Sequence, residues 1–191
     1  MNDLVDAMAV EARDKEIELA AREKESAEQA EAAAGPAAPW DVDGAIVVTG
    51  ATELSPDQLD ELTVVIEGLD PSQDALISGL RRGSELSGAE VAVKNGVPLG
   101  VVLPFADPAR NWPKADKMRF DACMAQSKWT ITLEGDESKP ATAVAGRDRW
   151  LWSRVVGAII VGDSARIEEL EEAGLGVIEV GGPAGRGGES T

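Results

Sequence analysis

The sequence predicts an α/β protein in which helices cover both faces of a mostly parallel sheet, giving three layers. Two observations predict this fold class, the order of the segments and the length of the chain. Short β-branched runs alternate with helical segments along the chain, and connections of this kind return each strand parallel to the previous one. The chain has 191 residues, which is enough for one well-buried domain and too few for two ordinary ones.

The predicted strands are short apolar runs that mostly end at or near a glycine, a pattern typical of strands buried on both faces. These runs occupy residues 45–50, 75–79, 98–105, 129–135, 157–163 and 176–182. The first helix has the strongest start, because Ser55 can cap it, Pro56 takes its first position and acidic residues follow. Later helices are predicted at residues 86–94, 114–127, 141–155 and 164–175.

Two terminal segments differ in composition from the domain at residues 40–182. Residues 1–39 are rich in alanine, glutamate, lysine and arginine and predict an acidic helix that ends at the Gly-Pro linker at 35–39. The apolar residues of this leader thin out after position 20, so a coiled-coil stripe is not sustained. The leader is either a solvated helix or a docking helix for a protein partner. Residues 183–191 predict a flexible tail.

Composition excludes several classes of function. There are 35 acidic and 18 basic residues, a net charge of −17, which repels nucleic-acid backbones and anionic lipid at long range. The chain has no histidine and one cysteine, so neither a metal site nor a disulfide framework is expected. It also lacks the glycine-rich dinucleotide and triphosphate fingerprints, and no cofactor is expected. No apolar run approaches the roughly 20 residues that cross a bilayer, so a cytoplasmic protein without membrane contact is expected.

In parallel sheets of this kind, ligands bind beyond the carboxyl ends of the strands, where the strand order reverses. The turn after the first strand holds Thr49 and Gly50, which offer a hydroxyl donor and close backbone approach to a phosphate. An ordinary strand end fits this turn as well.

The turn after the second strand, at residues 79–85, carries the strongest anion-binding pattern. Gly79 and Gly83 allow an unusual backbone path, and Ser84 or Ser87 can cap the following helix. Arg81 and Arg82 are a local basic exception in an acidic chain. The pattern indicates either a phosphate cradle or solvated turn arginines.

Two aromatic regions complete the candidate site. Trp112, in the loop after the third strand, can stack on a ligand ring or cover the core. Arg147 belongs to a helix with three arginines around Trp150 and Trp152, and it can clamp a phosphate or pair with nearby acids. Trp150 can likewise stack on a ligand ring or belong to the core.

In order and spacing, these turns resemble the SLOG superfamily, which includes DprA-type DNA-processing proteins and LOG cytokinin-activating hydrolases. The closest pattern is that of small stand-alone phage and bacterial members. The matching residues are Thr49-Gly50, Gly79-Leu-Arg-Arg-Gly83-Ser-Glu85, Pro104-Phe105, Trp112-Pro113 and Arg147-Asp148-Arg149-Trp150. The resemblance covers residues 44–182 and implies a Rossmann-like fold. It implies ligand-binding residues at Thr49, Gly50, Gly79, Arg81, Arg82, Gly83, Ser84, Glu85, Trp112, Arg147 and Asp148.

This chain departs from the superfamily pattern in three places. Ala51 and Thr52 replace a histidine and an arginine, and Glu85 and Asp148 replace an aspartate and an asparagine. The glycine-rich turn expected after the last hydrophobic strand is missing, and residues 162–165 read Gly-Asp-Ser-Ala. The resemblance therefore implies the fold and the position of the site rather than catalysis.

The expected function is the binding of a nucleotide-derived or other phosphorylated small ligand, without turnover. One alternative is a DprA-like protein that binds single-stranded DNA, which the acidic charge disfavours. A second is a hydrolase of the N-glycosidic bond of nucleoside monophosphates, with Glu85 or Glu168 as acid/base. A third is an interaction protein on a degenerate SLOG fold. Domains of this kind often pair through outer helices, so a homodimer is compatible with the sequence.

Overall fold

The computed structural model describes residues 38–181, and within them six strands form one sheet. The strands are β1 (Gly44–Gly50), β2 (Asp74–Ser78), β3 (Leu99–Leu103), β4 (Trp129–Thr132), β5 (Gly157–Val161) and β6 (Gly176–Val180). Their order is β4-β3-β2-β1-β5-β6, and all neighbouring pairs are parallel. This arrangement confirms the predicted fold class, a mostly parallel sheet between helices.

The helices between the strands cover the two faces of the sheet. They are α1 (Pro56–Glu67), α2 (Ser84–Lys94), α3 (Lys114–Gln126), α4 (Pro140–Trp152) and α5 (Ile167–Glu172), with a 3₁₀ turn at Ser164–Arg166 before α5. The apolar side chains of α4 and α5 pack on one face, and those of α1, α2 and α3 pack on the other. Between them lie strand residues that are almost all buried, as expected for a parallel sheet covered on both faces.

Helix α2 begins earlier than predicted, at Ser84 instead of residue 86. Gly83 is its N-cap, with φ 93°, and no side chain caps the helix. The predicted capping role of Ser84 or Ser87 is therefore wrong: both serines lie inside the helix, and Ser84 is its first residue and is buried. By contrast, Ser55 caps α1 as predicted, and it accepts a hydrogen bond from the backbone N–H of Gln58 at 3.2 Å.

The strand order reverses between β1 and β5, which is the position where such sheets bind ligands. The two strands run in register to their carboxyl ends, where Gly50 lies opposite Val161. Gly50 has φ 119°, and an added β-carbon would lie 2.2 Å from the carbonyl oxygen of Val161. Glycine is thus required here both by the backbone conformation and by the close approach of β5.

Packing begins ahead of the first strand. The indole N–H of Trp40 donates to the carbonyl oxygen of Arg154 at 3.1 Å, and its ring meets that of Trp150 edge-on at 5.8 Å. The predicted acidic leader helix and the predicted tail lie outside the described residues, apart from positions 38 and 39. No helix within residues 38–181 is long and apolar enough to cross a membrane.

Candidate functional site

Two arginines from different turns meet at the end of β1. Arg81, after β2, donates from Nη2 to the Thr49 hydroxyl oxygen at 3.5 Å. Arg166, in the 3₁₀ turn after β5, donates from Nη1 to the same oxygen at 3.3 Å. The strand order therefore brings residues 117 positions apart to one point at the switch between β1 and β5.

The path of the chain after β2 directs Arg81 to this point. Leu80 adopts a left-handed conformation, with φ 57°, and its side chain is fully buried. Its backbone N–H donates to Ser78 Oγ at 3.0 Å, and that hydroxyl donates to the carbonyl oxygen of Glu85 at 2.9 Å. Such a backbone costs a non-glycine residue about 1–2 kcal/mol, which the buried leucine and these two hydrogen bonds offset.

Arg147 lies beneath the two convergent arginines and is only 2% exposed. Its guanidinium group binds Glu85 through two parallel hydrogen bonds, both of 3.1 Å. It also donates from Nε to Asp148 at 3.0 Å. Of the two roles that the sequence leaves open for Arg147, a phosphate clamp or a partner of nearby acids, the structure shows the pairing with two carboxylates inside the domain.

The same two carboxylates hold the outer arginines. Arg81 binds Glu85 from Nε at 2.5 Å, and Arg166 binds Asp148 from Nη2 at 3.1 Å. Three guanidinium groups and two carboxylates thus alternate in one network. The arginine side chains become more exposed outward, from 2% for Arg147 to 24% for Arg166 and 34% for Arg81.

Arg147 and Asp148 are held in their charged forms. Burial disfavours the charged form of Arg147, but the neighbouring Glu85 and Asp148 outweigh it and raise the pKa of Arg147. Burial would likewise raise the pKa of Asp148, yet the charge and hydrogen bonds of Arg147, with smaller contributions from Arg81 and Arg166, lower it below its ordinary value of 3.8. Arg147 and Asp148 therefore keep their charges near neutral pH.

A cavity of about 300 Å³ opens beside this network. Its wall contains the convergent arginines Arg81 and Arg166, with Asp148 between them, and the exposed Arg149 from the outer side of α4. Its other lining residues are Ala141, Val144, Ala145, Trp152 and Glu169. The cavity thus presents guanidinium groups and a short apolar helix surface to solvent.

Arg82 does not line this cavity. Its side chain faces Asp116 of α3 at 3.6 Å and borders a separate cavity of about 540 Å³. The two adjacent arginines of the turn therefore point to different places, and only Arg81 joins Thr49 and Glu85.

The glycines and serine of the turn pack inside the protein. A β-carbon on Gly83 would lie 2.2 Å from the carbonyl oxygen of Ala51, and the Ser84 N–H already donates to that oxygen at 2.9 Å. Gly79 has an ordinary backbone, and its missing side chain instead makes room for the guanidinium of Arg147. The unusual φ predicted for Gly79 occurs at Leu80.

Trp112 lies away from the cavity. Its ring packs edge-on against Phe120 at 5.6 Å, where it covers the core between α2 and α3. The tryptophan beside the cavity is Trp152, which is largely buried and lies 5.3 Å from the Arg166 guanidinium carbon. Of the two uses open to Trp112, the structure shows core packing.

Sequence reasoning missed Arg166, Arg149 and Trp152. Arg166 carried a usable signal, because it follows β5 in a turn that the parallel-sheet rule already assigns to the ligand-binding edge. The other two residues belong to the arginine- and tryptophan-rich helix, but the sequence does not show which of its side chains face the cavity.

The fold is similar to that of a solved DNA-processing protein. DNA processing protein A (DprA) from Streptococcus pneumoniae matches with a TM-score of 0.60 and 21% identity over 75% of this chain. The match covers 52% of the pneumococcal chain, so this protein spans about half its length. DNA processing protein A from Helicobacter pylori, described for its single-stranded DNA binding mode, matches with a TM-score of 0.37 and 13% identity over 72% of this chain and 76% of its own.

No protein-family model and no curated protein matches the sequence. The similarity to the pneumococcal structure shows that this chain has the Rossmann-like, DprA-like fold that the resemblance to the SLOG superfamily implies.

Proposed function

We propose that this domain binds a nucleotide-derived or other phosphorylated small ligand in the cavity beside β1 and β5, without turning it over. One observation carries the proposal: Arg81 and Arg166 approach the switch point from opposite sides and both donate to Thr49 Oγ1. Two partly exposed guanidinium groups that share one small hydroxyl are close enough to contact one phosphate together.

The hydroxyl itself supports this arrangement. A threonine oxygen has two lone pairs, and the two arginines occupy both. Thr49 is 3% exposed and does not line the cavity, so its hydroxyl positions the two guanidinium groups and the arginines themselves would contact the phosphate. Arg149, exposed at the rim, adds a third positive charge from α4.

The carboxylates act as positioning groups in this proposal. Glu85 fixes Arg81 and Asp148 fixes Arg166, while the buried Arg147 ties the two carboxylates together. Such support holds the outer guanidinium groups in place before the ligand arrives, which lowers the entropy cost of binding.

The same contacts argue against turnover. A general acid or base works best when its pKa lies near the operating pH, whereas the pKa of Asp148 is lowered and arginines hold it in its charged form. Both carboxylate oxygens of Glu85 are engaged by arginine side chains. Neither group is prepared to transfer a proton to a glycosidic bond.

Calorimetric titration of the full chain with 5′-AMP and 3′,5′-cyclic AMP tests the proposal. We expect Arg81→Ala and Arg166→Ala each to weaken binding at least about tenfold, because each removes a charge-assisted contact. Arg82→Ala is the matched control, since Arg82 is the neighbouring arginine but faces the other cavity; its affinity should stay within about twofold. Circular dichroism checks that each variant is folded. Equal affinity in wild type and Arg81→Ala would contradict the proposal.

Single-stranded DNA is the second candidate ligand, favoured by the fold shared with the pneumococcal DNA processing protein and by the exposed Arg149 beside the cavity. The net charge of −17 opposes contact with a long backbone. A mobility shift with a labelled single strand at low salt distinguishes this candidate, which predicts a complex that dissociates as salt increases. Absence of a complex at low salt excludes it.

A further inference from the structure

The charge of the cavity wall restricts which phosphates it can hold. Resting on the proposed function, we propose that the site prefers a phosphate with a single negative charge, a phosphodiester, to a phosphomonoester or a polyphosphate. The preference follows from the number of arginines and carboxylates in the network rather than from any one contact.

The network has one more positive than negative group. Its cations are Arg81, Arg147 and Arg166, and its anions are Glu85 and Asp148. Each carboxylate lies between two guanidinium groups, so the charges largely cancel within the protein. One positive charge is left for a ligand.

The rim of the cavity does not change this balance. Arg149 and Glu169 line it with opposite charges, and Glu169 lies 3.8 Å from Arg166 with its side chain 58% exposed. Beyond the rim, the chain as a whole is strongly negative. An additional negative charge on the ligand therefore meets no matching cation and is repelled at long range.

A phosphodiester carries one negative charge and neutralises the site. A phosphomonoester carries about −1.5 to −2 at pH 7, so part of its charge would remain unpaired in a partly buried cavity beside Asp148. Unpaired charge is costly to remove from water. A diphosphate increases the excess further.

Two sources provide this chemistry: a cyclic mononucleotide and the backbone of single-stranded nucleic acid. The cavity of about 300 Å³ is at the lower end of the usual range for small-ligand pockets, which fits a single nucleotide unit. Comparing cyclic AMP, the dinucleotide dApdA and a short oligo(dA) separates the sources. Affinity that increases with length indicates nucleic acid, whereas tighter binding of cyclic AMP indicates a small ligand.

The test compares cyclic AMP, 5′-AMP and ADP by calorimetry with the full chain at pH 7.5 and pH 5.0, at constant ionic strength. Cyclic AMP has one negative charge at both values. 5′-AMP changes from mostly doubly to mostly singly charged, because its second pKa is about 6. The chain has no histidine, so no side chain with an ordinary pKa near 6.5 titrates in this interval.

At pH 7.5 we expect cyclic AMP to bind roughly tenfold more tightly than 5′-AMP, with ADP the weakest. On acidification to pH 5.0, 5′-AMP should gain roughly tenfold or more in affinity, as its singly charged fraction rises by about 30-fold, while cyclic AMP stays within twofold. The charged groups that face the ligand are Arg81, Arg149 and Arg166 with Asp148 and Glu169, backed by Arg147 and Glu85.

Two results would overturn the preference for a phosphodiester. In the first, 5′-AMP binds as tightly as cyclic AMP at pH 7.5; in the second, the affinity for 5′-AMP falls on acidification. If binding is also lost in Arg81→Ala, the proposed function still holds. Failure of every nucleotide to bind contradicts the proposed function itself. Glu169→Gln offers an independent measure, because it removes one exposed anion from the rim. It should narrow the difference between 5′-AMP and cyclic AMP several-fold, and Glu172→Gln, exposed on the same helix but outside the cavity lining, should not.

Discussion

The guanidinium group of Arg147 lies directly against Gly79. A β-carbon added to the glycine would come 1.5 Å from Nη1 and 2.3 Å from Cζ, and 2.7 Å from a carboxylate oxygen of Glu85. Gly79 is therefore the position at which the turn after β2 admits the buried charge network. Glycine is needed here because it leaves space for the Arg147 side chain, and not because the backbone adopts a positive φ.

Replacing Gly79 by alanine should expel Arg147 from its position and separate it from Glu85. We expect a loss of about 3 kcal/mol or more in the free energy of unfolding, as for an overpacked core that also breaks buried ion pairs. Urea denaturation followed by circular dichroism measures it. Gly146→Ala is the control, because a β-carbon there meets nothing within 4 Å; it should stabilise α4 by about 0.5–1 kcal/mol. An unchanged unfolding midpoint in Gly79→Ala would show that Arg147 does not need this space.

Removing either partner of the buried pair between Arg147 and Glu85 should lower the free energy of unfolding. Arg147→Met or Glu85→Gln alone leaves a buried group without its partner, at about 3–5 kcal/mol. The double variant should cost at least about 1 kcal/mol less than the sum of the two. Strict additivity in the urea-derived free energies would contradict a direct pair. Arg110→Met, which removes exposed ion pairs to Asp107 and Glu137, should change stability by less than about 0.5 kcal/mol.

Asp148 should make the protein sensitive to acid. Its folded-state pKa is lowered, so the unfolded state binds more protons, and the stabilising contribution is present above about pH 3.8 and is lost as pH falls through the folded pKa. The difference in unfolding free energy between wild type and Asp148→Asn should therefore be largest near pH 6–7 and shrink below pH 4. Urea titrations at several pH values measure it. Asp70 and Asp136, exposed and also with lowered pKa, affect both proteins equally. A difference that stays constant down to pH 3 would rule out this contribution.

Cys123, the single cysteine, should react slowly in the folded protein. Burial, aided by the nearby Glu90, raises the pKa of its thiol to about 11. At pH 8 only about one thousandth of the thiol is then ionised, against about a quarter for a free cysteine. Reaction with Ellman's reagent should be at least a hundredfold slower than in urea-unfolded protein. Rapid reaction without denaturant would indicate frequent opening between α2 and α3.

The fold was predictable because it depends on short-range patterns. Each strand is an apolar run near a glycine, and each helix has the spacing that its own residues provide; α1 also has a side-chain cap, from Ser55. The errors lie at boundaries and in the turn after β2. There, the positive φ occurs at Leu80, because its burial and the Ser78 hydroxyl override the ordinary preference for glycine.

The candidate site was predictable in position and less so in the role of each residue. Thr49, Arg81, Glu85, Arg147 and Asp148 meet in one network, as the parallel-sheet rule and the resemblance suggest. Arg82 and Trp112 belong elsewhere, since adjacent side chains diverge by angles that the sequence does not specify. Whether the assembled residues bind a phosphate remains a prediction.

The sequence by itself determined the alternation of strands and helices, and through it a parallel sheet with a candidate site at the carboxyl ends of its strands, since these depend on local periodicity and on the handedness of the connections. Only the tertiary structure decided which arginines reach a cavity and which one is buried between carboxylates. Arg147 and Glu85 are 62 positions apart, and their two parallel hydrogen bonds exist only because the sheet brings α4 to the start of α2. All three arginines pair with a carboxylate, and what separates them is exposure, which no local pattern encodes: 2% for Arg147 against 24% for Arg166 and 34% for Arg81.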